Sequence, residues 1–296
     1  MECWLRDFFK KANIWEWFLV IVITGIGIYV IVMPVMPKLN LSVRENLNQE
    51  KKPEDLIILY KDISSPKDIV PINCSAVLPI VYKNAISLKS LPIVQRKKKF
   101  IDMILPSILI VNYKIQKTRD KIIKIYKKLE LQKPLTDDEE KFLNEILDKY
   151  KASSIKELLE KVNTQPPSLI IAQAAIESGW GTSRFFTQAN NIFGVWTFDK
   201  KNASKIKARG ANVYLKKYKN LLESIEDYYY SINVSWAYKK LRKVRLISKD
   251  PLKLADYLDK YSTLRDIYVK RVKAVIKQNN LTFYDNCKLD KSYISQ

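Results

Sequence analysis

Acid–base chemistry in this chain must come from carboxylates, phenols, amines or thiols, because its 296 residues include no histidine. That absence excludes Ser-His-Asp and Cys-His catalysis, His-ligated zinc and imidazole proton transfer. One carboxylate is singled out by its surroundings. Glu177 follows the run Leu169–Ile176, in which Gln173 is the one polar residue. A carboxyl at the end of so apolar a helix is poorly solvated, and desolvation raises its pKa. A carboxyl that keeps its proton near neutral pH can act as the general acid of a glycosidase. The residues alone equally allow a buried structural acid paired with Arg184. Gly179 and Gly181 flank Trp180 and permit a tight turn beside the acid. Trp180 and Trp196 are candidate sugar platforms, within an aromatic set whose other members, Phe193, Tyr214 and Tyr218, also suit a core.

Two stretches carry a resemblance. Glu177–Arg184 reads Glu-Ser-Gly-Trp-Gly-Thr-Ser-Arg, and Asn190–Trp196 reads Asn-Asn-Ile-Phe-Gly-Val-Trp. Together they resemble the signature of bacterial N-acetylglucosaminidase domains, a lysozyme-like family of peptidoglycan hydrolases (glycoside hydrolase family 73), and more closely its Bax-type subgroup. Arg96–Pro106, Glu157–Val162, Pro166–Leu169, Glu223–Tyr228, Ile232–Asn233 and Ala237–Tyr238 fit the same subgroup. The resemblance extends over about residues 90–282. It implies that Glu177 is the general acid, that Asn191, Phe193 and Gly194 shape the cleft floor, and that Tyr261 lies close to the scissile bond. Tyr261 would there hydrogen-bond the N-acetyl group or the attacking water; as a residue, it equally suits an amphipathic core position. The chain departs from the family in the lobe after this motif, where many members carry a second glutamate. Here Val195–Leu222 contains a single acid, Asp199. Asp199 is either the base that activates water or a turn residue at a hairpin tip, and in the second case the substrate's acetamido oxygen or a lone acid would serve. Glu223 and Glu226 read as helix-capping or solvated charges.

The elements that must position these residues are mostly helical. Phe100, Ile104, Ile108 and Val111 have helical spacing, with Pro106 expected to kink the helix. Further helices are expected over Thr118–Leu131, over Thr136–Tyr150 and Ser154–Val162 with capping boxes, and from Pro166 to Gly179. Others are expected over Leu221–Asn233, Trp236–Val244, Pro251–Leu258 and Leu264–Gln278. Val195–Lys219 has β character and suggests a small hairpin. The expected fold is therefore mostly α, a lysozyme-like helical domain with a small β-hairpin lobe, preceded by one transmembrane helix. No cofactor or metal is expected, since six glycines leave little room for a phosphate loop and the three cysteines lack metal spacing.

Trp17–Pro37 carries no charge, and about 20 residues would span the roughly 30 Å core of a bilayer as a helix. Arg6, Lys10 and Lys11 precede it, favouring a cytoplasmic N-terminus, although Lys38 and Arg44 follow. A signal peptide or core helix fits less well than an uncleaved anchor. The organisation read from this is a cytoplasmic tail (1–14), a transmembrane anchor (15–36), a linker and extended segment (37–89), a glucosaminidase domain (90–285) and a tail (286–296). The expected location is the inner membrane, single-pass, with the C-terminal domain in the periplasm. Cys74 and Cys287 would then be either a disulfide or two free thiols. The expected partners are peptidoglycan strands and the membrane. The net charge of +21 reflects either an AT-rich genome or an anionic partner, and nothing beyond charge suggests nucleic acid. The expected activity is cleavage of the β-1,4 bond after N-acetylglucosamine; the alternative is a weak or inactive wall-binding protein that keeps the cleft.

Overall fold

The computed structural model describes residues 17–24, 27–34, 56–197, 205–207 and 214–295, with backbone alone at 17–24, 27–34 and 205–207. The chain divides into two units, Met1–Lys52 and Pro53–Gln296. In the first, β1 (Trp17–Thr24) pairs antiparallel with β2 (Gly27–Pro34). This corrects the membrane helix expected over 15–36. The run is dense in β-branched Val, Ile and Thr, and glycines at 25 and 27 divide it into two strand-length halves. No described helix is long and apolar enough to cross a membrane.

The second unit is mostly helical with small sheets. β3 (Leu59–Lys61) and β4 (Ile80–Tyr82) pair in parallel. Leu56, Ile63, Ile69, Val77, Val81 and Tyr82 are buried in the main core. Leu56 and Ile63, within the expected linker and extended segment (37–89), are therefore part of the body. The segment's polar residues had masked widely spaced apolar anchors, each contributing about 1.5–3 kcal/mol when fully buried. Cys74 and Cys287 form a disulfide.

Helix α1 (Ile93–Glu130) is continuous through Pro106, where the sequence suggested two helices. Thr118, expected to open the second, instead donates its hydroxyl to the Lys114 carbonyl within the helix at 2.9 Å. Helix α2 (Asp137–Lys149) begins with the expected Thr136/Glu139 capping box. At α3 (Ile155–Lys161) Ser154 caps the Glu157 amide, while the Glu157 carboxylate accepts from Ser153 rather than closing the box.

Helix α4 (Pro167–Ser178) is the axis of the domain, with Leu169–Ala175 buried. Its N-terminus is held by Asp285, which accepts from the Ser168 amide at 2.7 Å and hydroxyl at 2.8 Å. An anion suits the free amides there. Helix α5 (Arg184–Ala189) leads into a three-stranded antiparallel sheet, β5 (Trp196–Thr197), β6 (Lys205–Lys207) and β7 (Tyr214–Lys216), in the order β5-β7-β6. This is the expected small β lobe. Helices α6 (Leu221–Val234), α7 (Lys239–Ile247), α8 (Pro251–Ala255) and α9 (Asp266–Gln278) complete the body. Helix α4 packs against α1, α8 and α9, which hold it in the body.

Candidate active site

The last turn of α4 places Glu177 at the wall of a cleft of about 630 Å³. The helix stops because Gly179 adopts φ +59 and caps the Ala175 carbonyl. Trp180 and Gly181 follow with φ 57 and 78, so the chain reverses through three left-handed residues. Trp180 is strained there at a cost of order 1 kcal/mol, and a side chain at Gly181 would be strained by its φ and would press on Leu88 and Phe100, each 3.1 Å from the added Cβ. This reversal ends the helix one residue beyond Ser178 and leaves Glu177 half-buried.

Burial holds the Glu177 carboxyl above its ordinary value, opposed by a hydrogen bond from Tyr268 and by the charge of Arg271. The cation acting on Glu177 is thus Arg271 of α9, not the Arg184 considered from sequence. Behind the acid runs a buried chain of donors. The Tyr228 hydroxyl donates to Gln173 Oε1, Gln173 Nε2 donates to the Tyr268 hydroxyl at 3.1 Å, and Tyr268 donates to Glu177. Every donor in the chain points towards the carboxylate. Burial pushes both phenols well up, so they remain neutral donors.

Tyr261 lines the same cleft and stacks on Tyr268, with centroids 5.1 Å apart and 15° between planes. Burial pushes its phenol well up, with the nearby Tyr268 and Glu177 adding to the shift. Phe193 lies buried on the cleft floor and stacks on Tyr228 at 4.0 Å. Trp196 lines the cleft and is 58% exposed, an open aromatic face at its edge. Asn191, 1% exposed, does not line the cleft. It donates to the carbonyls of Val195 and Lys216 at 2.9 Å each and accepts from the Val195 amide at 2.9 Å. It therefore stitches the floor loop to β7. Trp180 also falls outside the cleft wall. Its ring packs edge-on against Phe100 of α1 at 5.8 Å, with Lys97 over it at 5.2 Å, because the left-handed turn carries it back onto that helix.

Asp199 lies outside the described residues. Among the described residues, the acid that shares the cleft with Glu177 is Asp227, which sequence reasoning did not single out. It ion-pairs with Lys216 at 2.9 Å and accepts from the Tyr218 hydroxyl at 2.6 Å. Glu223 and Glu226 are not in the cleft wall. Glu223 accepts from the Lys219 amide at the start of α6, and Glu226 pairs with Lys114, a cap and a surface charge as expected. No group of three or more described His, Cys, Asp or Glu side chains could hold a metal ion.

Part of the chain is similar in sequence to known proteins. Residues 152–281 match the family model Glucosaminidase, described as mannosyl-glycoprotein endo-beta-N-acetylglucosaminidase. Protein bax of Escherichia coli (strain K12) is 29% identical over 158 residues, covering 51% of this chain and 55% of that protein. Exo-glucosaminidase LytG of Bacillus subtilis (strain 168) is 31% identical over 131 residues, covering 40% of this chain and 46% of that protein. The chain thus spans about half the length of these relatives. The catalytic domain of the autolysin Auto from Listeria monocytogenes aligns at 24% identity and a TM-score of 0.35, over 51% of this chain and 89% of that one. The matched segment contains Glu177, its donor chain and the cleft floor, and over residues 152–281 the chain carries a domain of the glucosaminidase family of glycoside hydrolases.

Proposed function

We propose that this domain hydrolyses the β-1,4 bond after N-acetylglucosamine in peptidoglycan, with Glu177 as general acid. The observation that carries the reading is a half-buried carboxyl, raised by burial, at the wall of an open cleft inside the family-matched segment. Tyr268 interacts with that carboxyl on its buried side of the site, and in this reading the carboxyl passes its proton to the leaving glycosidic oxygen in the cleft. Protonation there lets the bond break through an oxocarbenium-like state. Asp227 is engaged by Lys216 and Tyr218, which suits holding the cleft wall and its charge rather than moving to activate water. Tyr261, kept neutral, cannot be a base near neutral pH. We assign it the role of donor that orients the substrate's acetamido oxygen, which then assists in place of a second carboxylate. The lysozyme-like topology is part of the same proposal.

Location at the inner membrane belongs to the same proposal, and the Cys74–Cys287 bond supports an oxidising compartment such as the periplasm. Membrane fractionation with a C-terminal export reporter tests this location. The enzymatic assignment is tested by mass spectrometry of purified peptidoglycan digested by the wild type and by Glu177→Gln. New N-acetylglucosamine reducing ends from the wild type alone are expected. Equal release by both proteins removes Glu177 from the mechanism, and release by neither leaves a wall-binding protein.

A further inference from the structure

A second hollow adjoins the cleft. Val234, at the end of α6, lines both the cleft and a neighbouring hollow of about 580 Å³. Ser235 follows in the cleft wall, and Trp236 follows in the hollow. Trp236 is 77% exposed, so burial in the core does not account for an indole at this position. The backbone that carries it is nevertheless fixed: Arg242, buried, donates to the Ser235 carbonyl at 2.6 Å and to the Ile232 carbonyl at 3.1 Å. Lys260, which is not part of the hollow, stands over the ring at 4.6 Å. The hollow thus meets a held aromatic surface that is open to solvent.

Its remaining walls are charged. Lys239 and Lys243 are exposed, four residues apart on one face of α7. Two like charges at that spacing repel, and an anion between them relieves the repulsion. Neither lysine takes part in the ion pairs found among the described residues, whereas Lys161 in the same hollow pairs with Glu157 at 2.8 Å. Glu160 contributes the opposing negative charge.

We infer that this hollow is a further binding subsite, adjoining the cleft. Trp236 stacks an N-acetylhexosamine ring of the bound strand, and Lys239 with Lys243 pairs with a carboxylate that the strand carries. The inference rests on the glycan-hydrolase reading of the cleft and adds to it a preference for acidic over neutral polymer.

The test is co-sedimentation of the full chain, carrying Glu177→Gln so that the polymer stays intact, with insoluble peptidoglycan and with insoluble chitin, which is neutral. Adding Trp236→Ala is expected to weaken binding to both polymers about tenfold, the loss of one well-packed aromatic contact. Adding Lys239→Ala with Lys243→Ala is expected to weaken binding to peptidoglycan while leaving chitin unchanged, and to flatten the salt dependence. The melting temperature of the Trp236→Ala variant should equal its parent's, because the ring is exposed. Unchanged binding on loss of Trp236, an equal loss on chitin from the lysine pair, or no binding of the parent to either polymer overturns the subsite. The glycan-hydrolase reading fails separately, through absence of muropeptide release by the wild type.

Discussion

Replacing Tyr268 by Phe removes one oxygen and should move the pH profile in a defined direction. In the folded domain this hydroxyl donates to Glu177 and so favours the charged carboxylate. Its removal leaves burial, which already raises the carboxyl, less opposed. Glu177 then keeps its proton to higher pH, and the basic limb of kcat/KM moves up. A hydrogen bond to a charged group contributes about 1.5–3 kcal/mol, and the lower figure suits a carboxyl that is partly solvated. At about 1.4 kcal/mol per pH unit, the limb should rise by roughly one unit. A separate cost falls on the fold, since Gln173 Nε2 loses its acceptor in a fully buried position. That costs about 1–3 kcal/mol, or a melting temperature lower by roughly 2–10 °C. The assay is initial-rate solubilisation of purified peptidoglycan from pH 4 to 9, below the variant's melting temperature. A basic limb that stays in place or moves down refutes the donor role of Tyr268.

Three further outcomes are expected. Glu177→Gln should lower kcat by about 10²–10⁴-fold and should stabilise the domain near neutral pH. The sign follows from the raised carboxyl: the native state binds the proton more tightly than the unfolded chain, so stability is greatest below the ordinary carboxyl range and is lost as pH rises through the native value. Calorimetry should therefore show the variant melting above the wild type at pH 7 and the gap closing near pH 4, and a gap that widens on acidification contradicts the assignment. Reducing Cys74–Cys287, which closes a sequence separation of 213, should remove about 5 kcal/mol of stability and about 10–20 °C of melting temperature, read by melts with and without reductant. Asn191→Ala breaks three hydrogen bonds at the cleft floor and should cost about 3 kcal/mol with a raised KM; an unchanged melting curve counts against its stitching role.

The raised Glu177 carboxyl was legible because its burial depends on near neighbours in sequence: an apolar helix before it and two glycines after it. Local signals also reported the Thr136 capping box, the β lobe and the caps at Ser154 and Glu223. The rest of the site is assembled across long separations. Tyr268 lies 95 residues from Gln173, and Tyr228 lies 55 away. Gln173 is the part that carried a local clue, a lone amide one helical turn before Glu177 and on the same face. Asp227 was not legible because Glu223 and Glu226, just ahead of it in one acidic cluster, do serve as cap and surface charge. Trp180 misled in the opposite way: it lies close to Glu177 in sequence, but three left-handed residues turn its ring onto α1. The apolar run matched the length of a membrane helix, yet its β-branched residues lie in two strands, Trp17–Thr24 and Gly27–Pro34, and length alone does not separate those outcomes.

The ties near the two ends of the body also define how it carries tension. Leu56 is bridged to Ile294, Val77 to Leu289, and Cys74 is bonded to Cys287. A pull applied ahead of Leu56, as by a membrane or a moving wall strand, is taken up first by this seam of short bridges and one covalent link. When the opposing pull acts on the segment after Ile294, the load crosses at this seam and α4 lies off the direct path between the two ends.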